Sequence, residues 1–357
     1  MYVQRPCKRI SIRDVAKAAS TSVSTVSRVI SNPTYPVSAE LRERIQKAIK
    51  ELNYSPDSAA QMLKKGFNNI LGLILRDIAN PYFGEIARGV TEQAMKKGIL
   101  CFVCNTERNV ENEIHYLELF WRHKVKGVIL AGGGIDVRSY RTILQKYVAR
   151  SHQYGIRIIG LAPQILDLPL VTIDYQKAAF TILQYLMERG HHRIAMISGM
   201  ETVLTTREHL KGYREALEMQ GIPFDESLFL YGDFTEQEGY DCARKLDIRG
   251  KGITAIACGS DAIAIGVIHY LSERGIRVPE DVSIIGIGDI PHSKFMVPPL
   301  TTLHVPRYEM GVRAVEIITR QEEPMLGEKI LFTPTLMERK SVATLISPSL
   351  PFFSWVH

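Results

Sequence analysis

The chain has 357 residues, 45% of them hydrophobic and 23% charged, with a formal net charge of +6. That length exceeds one ordinary domain and suits two or three with ample core. No run of about 18 apolar residues is present, which excludes a transmembrane helix, and Ser11, Arg13 and Asp14 stand where a signal peptide needs an apolar segment. A cytoplasmic protein is expected.

The charge is unevenly divided. Residues 1–66 hold twelve Lys and Arg against five Asp and Glu, a net of +7, whereas the remainder holds 32 against 33. A basic head of this kind points to a phosphate partner once it coincides with a DNA-binding motif. Residues 1–10 form a short basic lead. The spacing then predicts helices from Ser11, from Ser22 and from Ser38. Asp14 completes a capping-box pattern with Ser11. Ile12, Val15, Ala16 and Ala19, then Val26 and Val29, then Leu41, Ile45, Ala48, Ile49 and Leu52 recur at helical spacing and share one small core.

Three short helices with a tight turn after the first read as a helix-turn-helix domain over 11–54. The second helix enters a major groove. Ser22, Val23, Ser24, Thr25, Ser27 and Arg28 face outward. Val23 suits a thymine methyl, Ser24 is an adaptable donor or acceptor, and Arg28 forks onto guanine O6 and N7. Ser11 and Ser38, at the starts of the flanking helices, complete the expected DNA-contacting set.

At this point the sequence resembles the LacI–GalR family of bacterial transcription regulators. IRDVAKAA and SVSTVSRVI carry the most specific part of the likeness, and LNYSPDSAAQMLKKG (52–66) carries the second. The resemblance makes 55–66 a hinge helix, capped by Ser55 with Pro56 at its first position, where a missing N–H is harmless. It implies that two hinges fold together in the minor groove. Leu63 then wedges between base steps and Ala60 lies at the contact between the hinges. One departure stands in the turn: the family pattern Ala-Gly-Val-Ser is here Ala19-Ser20-Thr21-Ser22. Serine tolerates a positive φ less readily than glycine, so a cost in stability is expected.

Beyond residue 68 the pattern changes to short apolar runs at 69–75, 100–105, 127–133, 156–161, 193–199, 253–259 and 282–288. Helical stretches such as 82–97, 175–190, 205–220, 235–246 and 261–274 separate most of them. This alternation predicts parallel sheets covered by helices on both faces. The resemblance continues through KGVILAGG, SDAIAIG, VPEDVSIIGIGDIP and PPLTTLHVP. It implies an α/β core over 67–343 like a periplasmic binding protein, with two doubly wound subdomains joined by three crossings. The expected division is 67–162 with 304–332, and 163–303 with 333–343. A tail of no heptad character follows at 344–357.

In open α/β sheets ligands sit outside the carboxyl ends of the strands, which here means the cleft between subdomains. The candidate effector residues are therefore Asp77, Asn80, Tyr82, Phe83, Asn105, Asp174, Arg207, His209, Phe234, Asp261 and Asp289. For the charged ones, helix capping and inter-loop ion pairing are equally available roles. Two departures from the family pattern bear on the effector. His209 stands where many relatives have arginine before x-x-Gly-aromatic, and Asp289 is the single survivor of a usual aspartate pair. An atypical effector, or polar hooks placed elsewhere, is expected.

No catalytic set is visible. Gly132-Gly133-Gly134 lacks the lysine of a phosphate loop, GIGDIP is not a dinucleotide fingerprint, and HExxH and GxSxG are absent. Cys101 and Cys104 form a CxxC within a strand-like run that points them to opposite faces, with no second pair for a metal. His191-His192 are expected at an exposed turn. The reading is a homodimeric, ligand-responsive repressor of a carbohydrate-utilisation operon, without catalytic residues, metal or cofactor. Its partners are near-palindromic operator DNA and a sugar or sugar derivative, with no membrane. A nucleobase, nucleoside or other non-sugar effector, or a global regulator acting through a partner protein, is the alternative. A solute-binding protein, or an enzyme fused to a DNA-binding head, fits the charge pattern and motifs less well.

Overall fold

The computed structural model describes residues 10–32, 34–55 and 68–345. Two compact units are present, divided at Asn68, and each is taken by itself.

In the first unit α1 (Ile12–Ala18), α2 (Val23–Ser31) and α3 (Ala39–Glu51) enclose Val15, Ala16, Ala19, Val26, Val29, Ile45 and Ala48. Each start is fixed by a serine. The Asp14 carboxylate accepts from the Ser11 N–H (2.8 Å) and hydroxyl (2.7 Å), Ser22 accepts from the Thr25 N–H (3.1 Å), and Ser38 from the Leu41 N–H (3.2 Å). Such caps satisfy backbone donors that the first helical turn leaves orphaned. The turn between α1 and α2 holds Ser20 at φ +50°, and the Thr21 N–H reaches back to the Ala16 carbonyl at 3.0 Å. The left-handed conformation expected of that position is thus present without the glycine that suits it.

The second unit contains two six-stranded sheets. The first has the order β11-β5-β4-β3-β1-β2 and the second β12-β10-β9-β8-β6-β7. The first sheet consists of β1 (Asn68–Leu75), β2 (Leu100–Asn105), β3 (Val125–Leu130), β4 (Arg157–Gly160), β5 (Leu170–Ile173) and the late strand β11 (Lys329–Phe332). Helices α4 (Pro81–Lys96), α5 (Val110–Arg122), α6 (Arg138–Gln153) and α11 (Arg307–Thr319) cover it. The second sheet has β6 (Ile194–Ser198), β7 (Phe229–Tyr231), β8 (Ala255–Cys258), β9 (Ser283–Gly288) and β10 (Thr301–His304), closed by the antiparallel edge β12 (Thr335–Met337). Around it lie α7 (Tyr175–Glu188), α8 (Leu204–Met219), α9 (Glu236–Lys245) and α10 (Asp261–Glu273). Fully buried β-branched and leucine residues dominate the central strands, as two-sided burial requires.

Three chain crossings join the lobes, after β5, after β10 and between β11 and β12. The first differs from the sequence division at residue 162. Gly160 pairs with Leu170, and all four residues of β5 pair with β11, so Leu170–Ile173 belong to the first sheet and the chain crosses at Asp174. The short run LVTI, following Pro169, gave too little apolar length to announce a strand. His191, expected at an exposed turn, is 1% exposed. Its ring lies between the Thr254 hydroxyl (3.1 Å) and the Ala343 carbonyl (3.0 Å), tying the end of the core to the second sheet.

Candidate DNA-binding face and effector cleft

On α2 the apolar stripe and the exposed face separate cleanly. Val26 and Val29 are buried, whereas Val23 is 40% exposed beside exposed Ser24 and Arg28. The Ser22 hydroxyl lies 2.7 Å from that of Ser24 and 2.8 Å from that of Thr25, so small polar groups ring the helix start. Arg28 donates to the Tyr35 hydroxyl at 2.9 Å, and its guanidinium carbon sits 5.6 Å from the centre of that ring. Tyr35, on the connection to α3, therefore holds the Arg28 side chain in one orientation. Nothing in the helical spacing marked Tyr35 for this role. Ser11, Ser22 and Ser38 cap their helices. Thr25 and Ser27 are partly exposed on α2, and Ala60 and Leu63 lie outside the described residues.

Between the lobes, at the carboxyl ends of both sheets, is a cleft of about 800 Å³ including its open mouth. Of the eleven effector candidates it brings together Asn80, Tyr82, Phe83, His209 and Phe234. Asn80 caps α4, accepting from the Tyr82 N–H at 2.9 Å, and so fixes the two aromatic residues that follow. The Tyr82 and Phe83 rings meet edge to face at 5.4 Å. Phe234 has φ +51° and lies so close to Gly199 that a Cβ there would meet its ring at 1.9 Å. This backbone strain aims an aromatic ring into the cleft. His209 is 1% exposed, with Nδ1 2.9 Å from the Ser198 hydroxyl and Nε2 without a hydrogen-bond partner among the described residues. Burial pulls its pKa down to about 4, so the ring is neutral at physiological pH.

The other six candidates do not line the cleft, and each has a structural partner instead. Asp77 pairs with Arg108 at 3.0 Å. Asn105 accepts from the Ile78 N–H at 3.1 Å, and Asp174 caps α7 through the Lys177 N–H at 2.8 Å. Arg207 pairs with Asp136 at 2.5 Å. Asp261 is 1% exposed and accepts from the Ser293 hydroxyl (2.6 Å), the Thr302 hydroxyl (2.5 Å) and the Ile290 N–H (2.9 Å). Burial raises its pKa, and these three bonds oppose the rise. Asp289, at φ +54°, holds Arg339 (2.6 Å) and His304 (3.1 Å). Carboxylates at strand ends lie near helix starts and neighbouring loops, so capping and pairing take them first.

The cleft also holds polar residues that the sequence reading missed: Arg76, Arg108, Tyr175, Asp233 and Ser260. Arg76 directly follows β1, a signal available in the sequence but overlooked in favour of the carboxylate beside it. Asp233 sits 3.6 Å from Arg108 across the cleft, and burial raises its pKa. Along another edge the lobes meet directly. Ile135 bridges Val203, the Asp136 N–H donates to the Thr202 carbonyl (2.8 Å), and the Leu204 N–H to the Gly134 carbonyl (2.9 Å).

Cys101 and Cys104 pack into different apolar clusters, as alternation along a strand requires. Burial pushes their thiols up to about 12 and about 11, which leaves both protonated. Among the described residues no group of three or more His, Cys, Asp or Glu is placed to hold a metal ion.

Residues 11–57 match the model of bacterial regulatory proteins of the lacI family, and residues 183–342 match that of the periplasmic binding protein-like domain. The HTH-type transcriptional repressor PurR of Histophilus somni is 32% identical over 351 residues, covering 94% of this chain and 99% of the relative. The chain belongs to the LacI family. The ribose operon repressor of Escherichia coli is 34% identical over 333 residues, covering 93% and 99%. A solved complex of the transcriptional regulator CelR with cellobiose superposes with a TM-score of 0.67 at 28% identity, covering 93% of this chain and all of the other. This LacI-family protein is a ligand-responsive, DNA-binding transcriptional repressor, with a helix-turn-helix head and a two-lobed binding-protein-like core. Among the described residues no helix is long and apolar enough to cross a membrane.

Proposed function

We propose that this LacI-family member is a homodimeric cytoplasmic repressor of a carbohydrate-utilisation operon, binding a near-palindromic operator and taking a sugar or sugar derivative in its cleft. The observation that carries this reading is the pairing of two surfaces: the exposed, serine-lined start of α2, and an aromatic-walled cleft at the carboxyl ends of two parallel sheets. Ser22, Val23, Ser24, Thr25, Ser27 and Arg28 read bases and phosphates, with the helix starts at Ser22 and Ser38 offering backbone N–H groups to the DNA backbone. Ala60 and Leu63 serve the paired hinges and the minor-groove wedge. The names of the ribose repressor and of the cellobiose complex support a sugar-class effector. A nucleobase or nucleoside is the second reading, favoured by the Tyr82, Phe83 and Phe234 rings, which suit a flat heterocycle.

Mechanistically, a ligand that binds the two lobes in one arrangement more tightly than in another biases how the dimer presents its hinges. Folding of the hinges on DNA carries that bias to operator affinity. This is a regulator and not an enzyme. The hinge is tested by Leu63→Ala in a circular-permutation gel-shift assay. Reduced bending and specific affinity with nonspecific binding retained is expected, whereas unchanged bending contradicts a wedge role.

A further inference from the structure

Among the described residues, one guanidinium of the cleft makes no ion pair of its own, although the charge of Asp233 acts on it from a distance. Arg76 directly follows β1, the strand beside the sheet edge β2, and lines the cleft. Its Nη2 donates to the Gly133 carbonyl, and its buried Nε finds no hydrogen-bond partner among the described residues. Among the described residues Arg76 has no ion-pair partner, whereas Arg108, the other guanidinium of the cleft, lies between Asp77 (3.0 Å) and Asp233 (3.6 Å). Gly132 makes the room for Arg76, since a Cβ there would meet its Nε at 2.3 Å. A guanidinium that is partly buried, always charged, without a directly paired carboxylate and without a full set of acceptors favours an arriving anion. On the opposite lobe, the neutral His209 has a buried Nε2 with no hydrogen-bond partner among the described residues. A ligand hydroxyl satisfies that nitrogen in either tautomer, because it donates as well as accepts.

Resting on the reading of this cleft as the effector site, we infer that the effector is anionic. It is a sugar derivative bearing a phosphate or carboxylate, with that group on Arg76 and a hydroxyl on His209. Anion capture at Arg76 and hydroxyl recognition at His209 engage both lobes through one ligand, which gives the binding energy a direct hold on their relative arrangement.

The test uses the full-length protein and matched probes: ribose with ribose 5-phosphate, glucose with glucose 6-phosphate and with gluconate, adenosine with its 5′-monophosphate, and inorganic phosphate alone. Binding is measured by calorimetry and by the shift in melting temperature, for wild type, Arg76→Gln and Arg76→Lys. At least one anionic member is expected to bind tenfold or more tightly than its neutral twin. Arg76→Gln should remove most of that preference and Arg76→Lys retain part of it. The phosphate and carboxylate arms tell the two groups apart. A neutral twin that binds equally well, or a preference that survives Arg76→Gln, overturns the inference and leaves the effector cleft standing. If no probe alters melting or DNA affinity, the cleft reading fails as well. Should Arg76→Gln not fold, the wild type decides by salt. A tenfold rise in ionic strength weakens only the anionic ligand if the inference holds, and weakens both or neither if it does not.

Discussion

The helix-turn-helix head and the effector cleft are built on opposite principles. In the head, most of the proposed DNA-contacting residues lie on one short helix, and the serines that cap the helices are exposed. In the cleft, the walls come from loops after strands of both sheets, and most of the charged residues nearby are engaged elsewhere in the fold. Local periodicity therefore displays an exposed candidate face directly, while a ligand site spread over many crossovers becomes visible only when each polar group's partner is known.

The sharpest way to separate the two kinds of residue is to remove one engaged in the fold. Asp261→Ala leaves the Ser293 and Thr302 hydroxyls and the Ile290 N–H without their acceptor. A loss of about 3–5 kcal/mol of core stability is expected in denaturant titration. A change confined to ligand affinity, with stability intact, would return Asp261 to the effector set.

Next in size is the acid response of the cleft. The pKa of His209 in the fold is about 4, below its unfolded value near 6.5. In that window the unfolded chain binds a proton that the native ring refuses, so stability rises with pH. The group's contribution is complete above about 6.5 and declines by about 3 kcal/mol as pH falls to about 4. His209→Gln is expected to remove this part of the slope in pH-dependent unfolding. A slope unchanged by the substitution would show the ring to titrate normally.

In the head the effects are smaller and fall on DNA. Arg28→Ala is expected to cost about 1–3 kcal/mol on the operator and to relax preference at one base pair, with little change in melting temperature. Tyr35→Phe leaves the ring beneath Arg28 but removes the 2.9 Å bond, so it should weaken the same preference by a smaller amount. Equal binding profiles for wild type and Arg28→Ala would take this side chain off the bases. The smallest effect concerns the turn. Ser20→Gly relieves a positive φ of +50° and should stabilise the head by about 1 kcal/mol without altering sequence preference.

The legibility of the chain follows from the same contrast. The capping serines, the Val26 and Val29 stripe and the unusual turn at Ser20 are all local, and sequence spacing displays them. The alternation of apolar runs likewise gave the two-sheet core. The strand at Leu170–Ile173 escaped because four residues beside a proline have no usable period, and it moved one crossing by about eleven residues. In the cleft the aromatic pair after Asn80 was legible through the cap that fixes it. Arg76 was marked only by its place after β1 and Asp233 not at all, because what distinguishes them is what does or does not face them in the fold.

The central claim is that a ligand in the cleft governs sequence-specific DNA binding by the head. Fluorescence anisotropy of the full chain on a near-palindromic duplex selected from a randomised pool, against a scrambled duplex at the same salt, tests it most directly. The titration is repeated with whichever matched probe binds the cleft. At least a thousandfold preference for the selected duplex is expected, together with a change of tenfold or more in that affinity, in either direction, on adding the probe. Equal affinity for both duplexes, or operator affinity untouched by a ligand that saturates the cleft, would contradict the account.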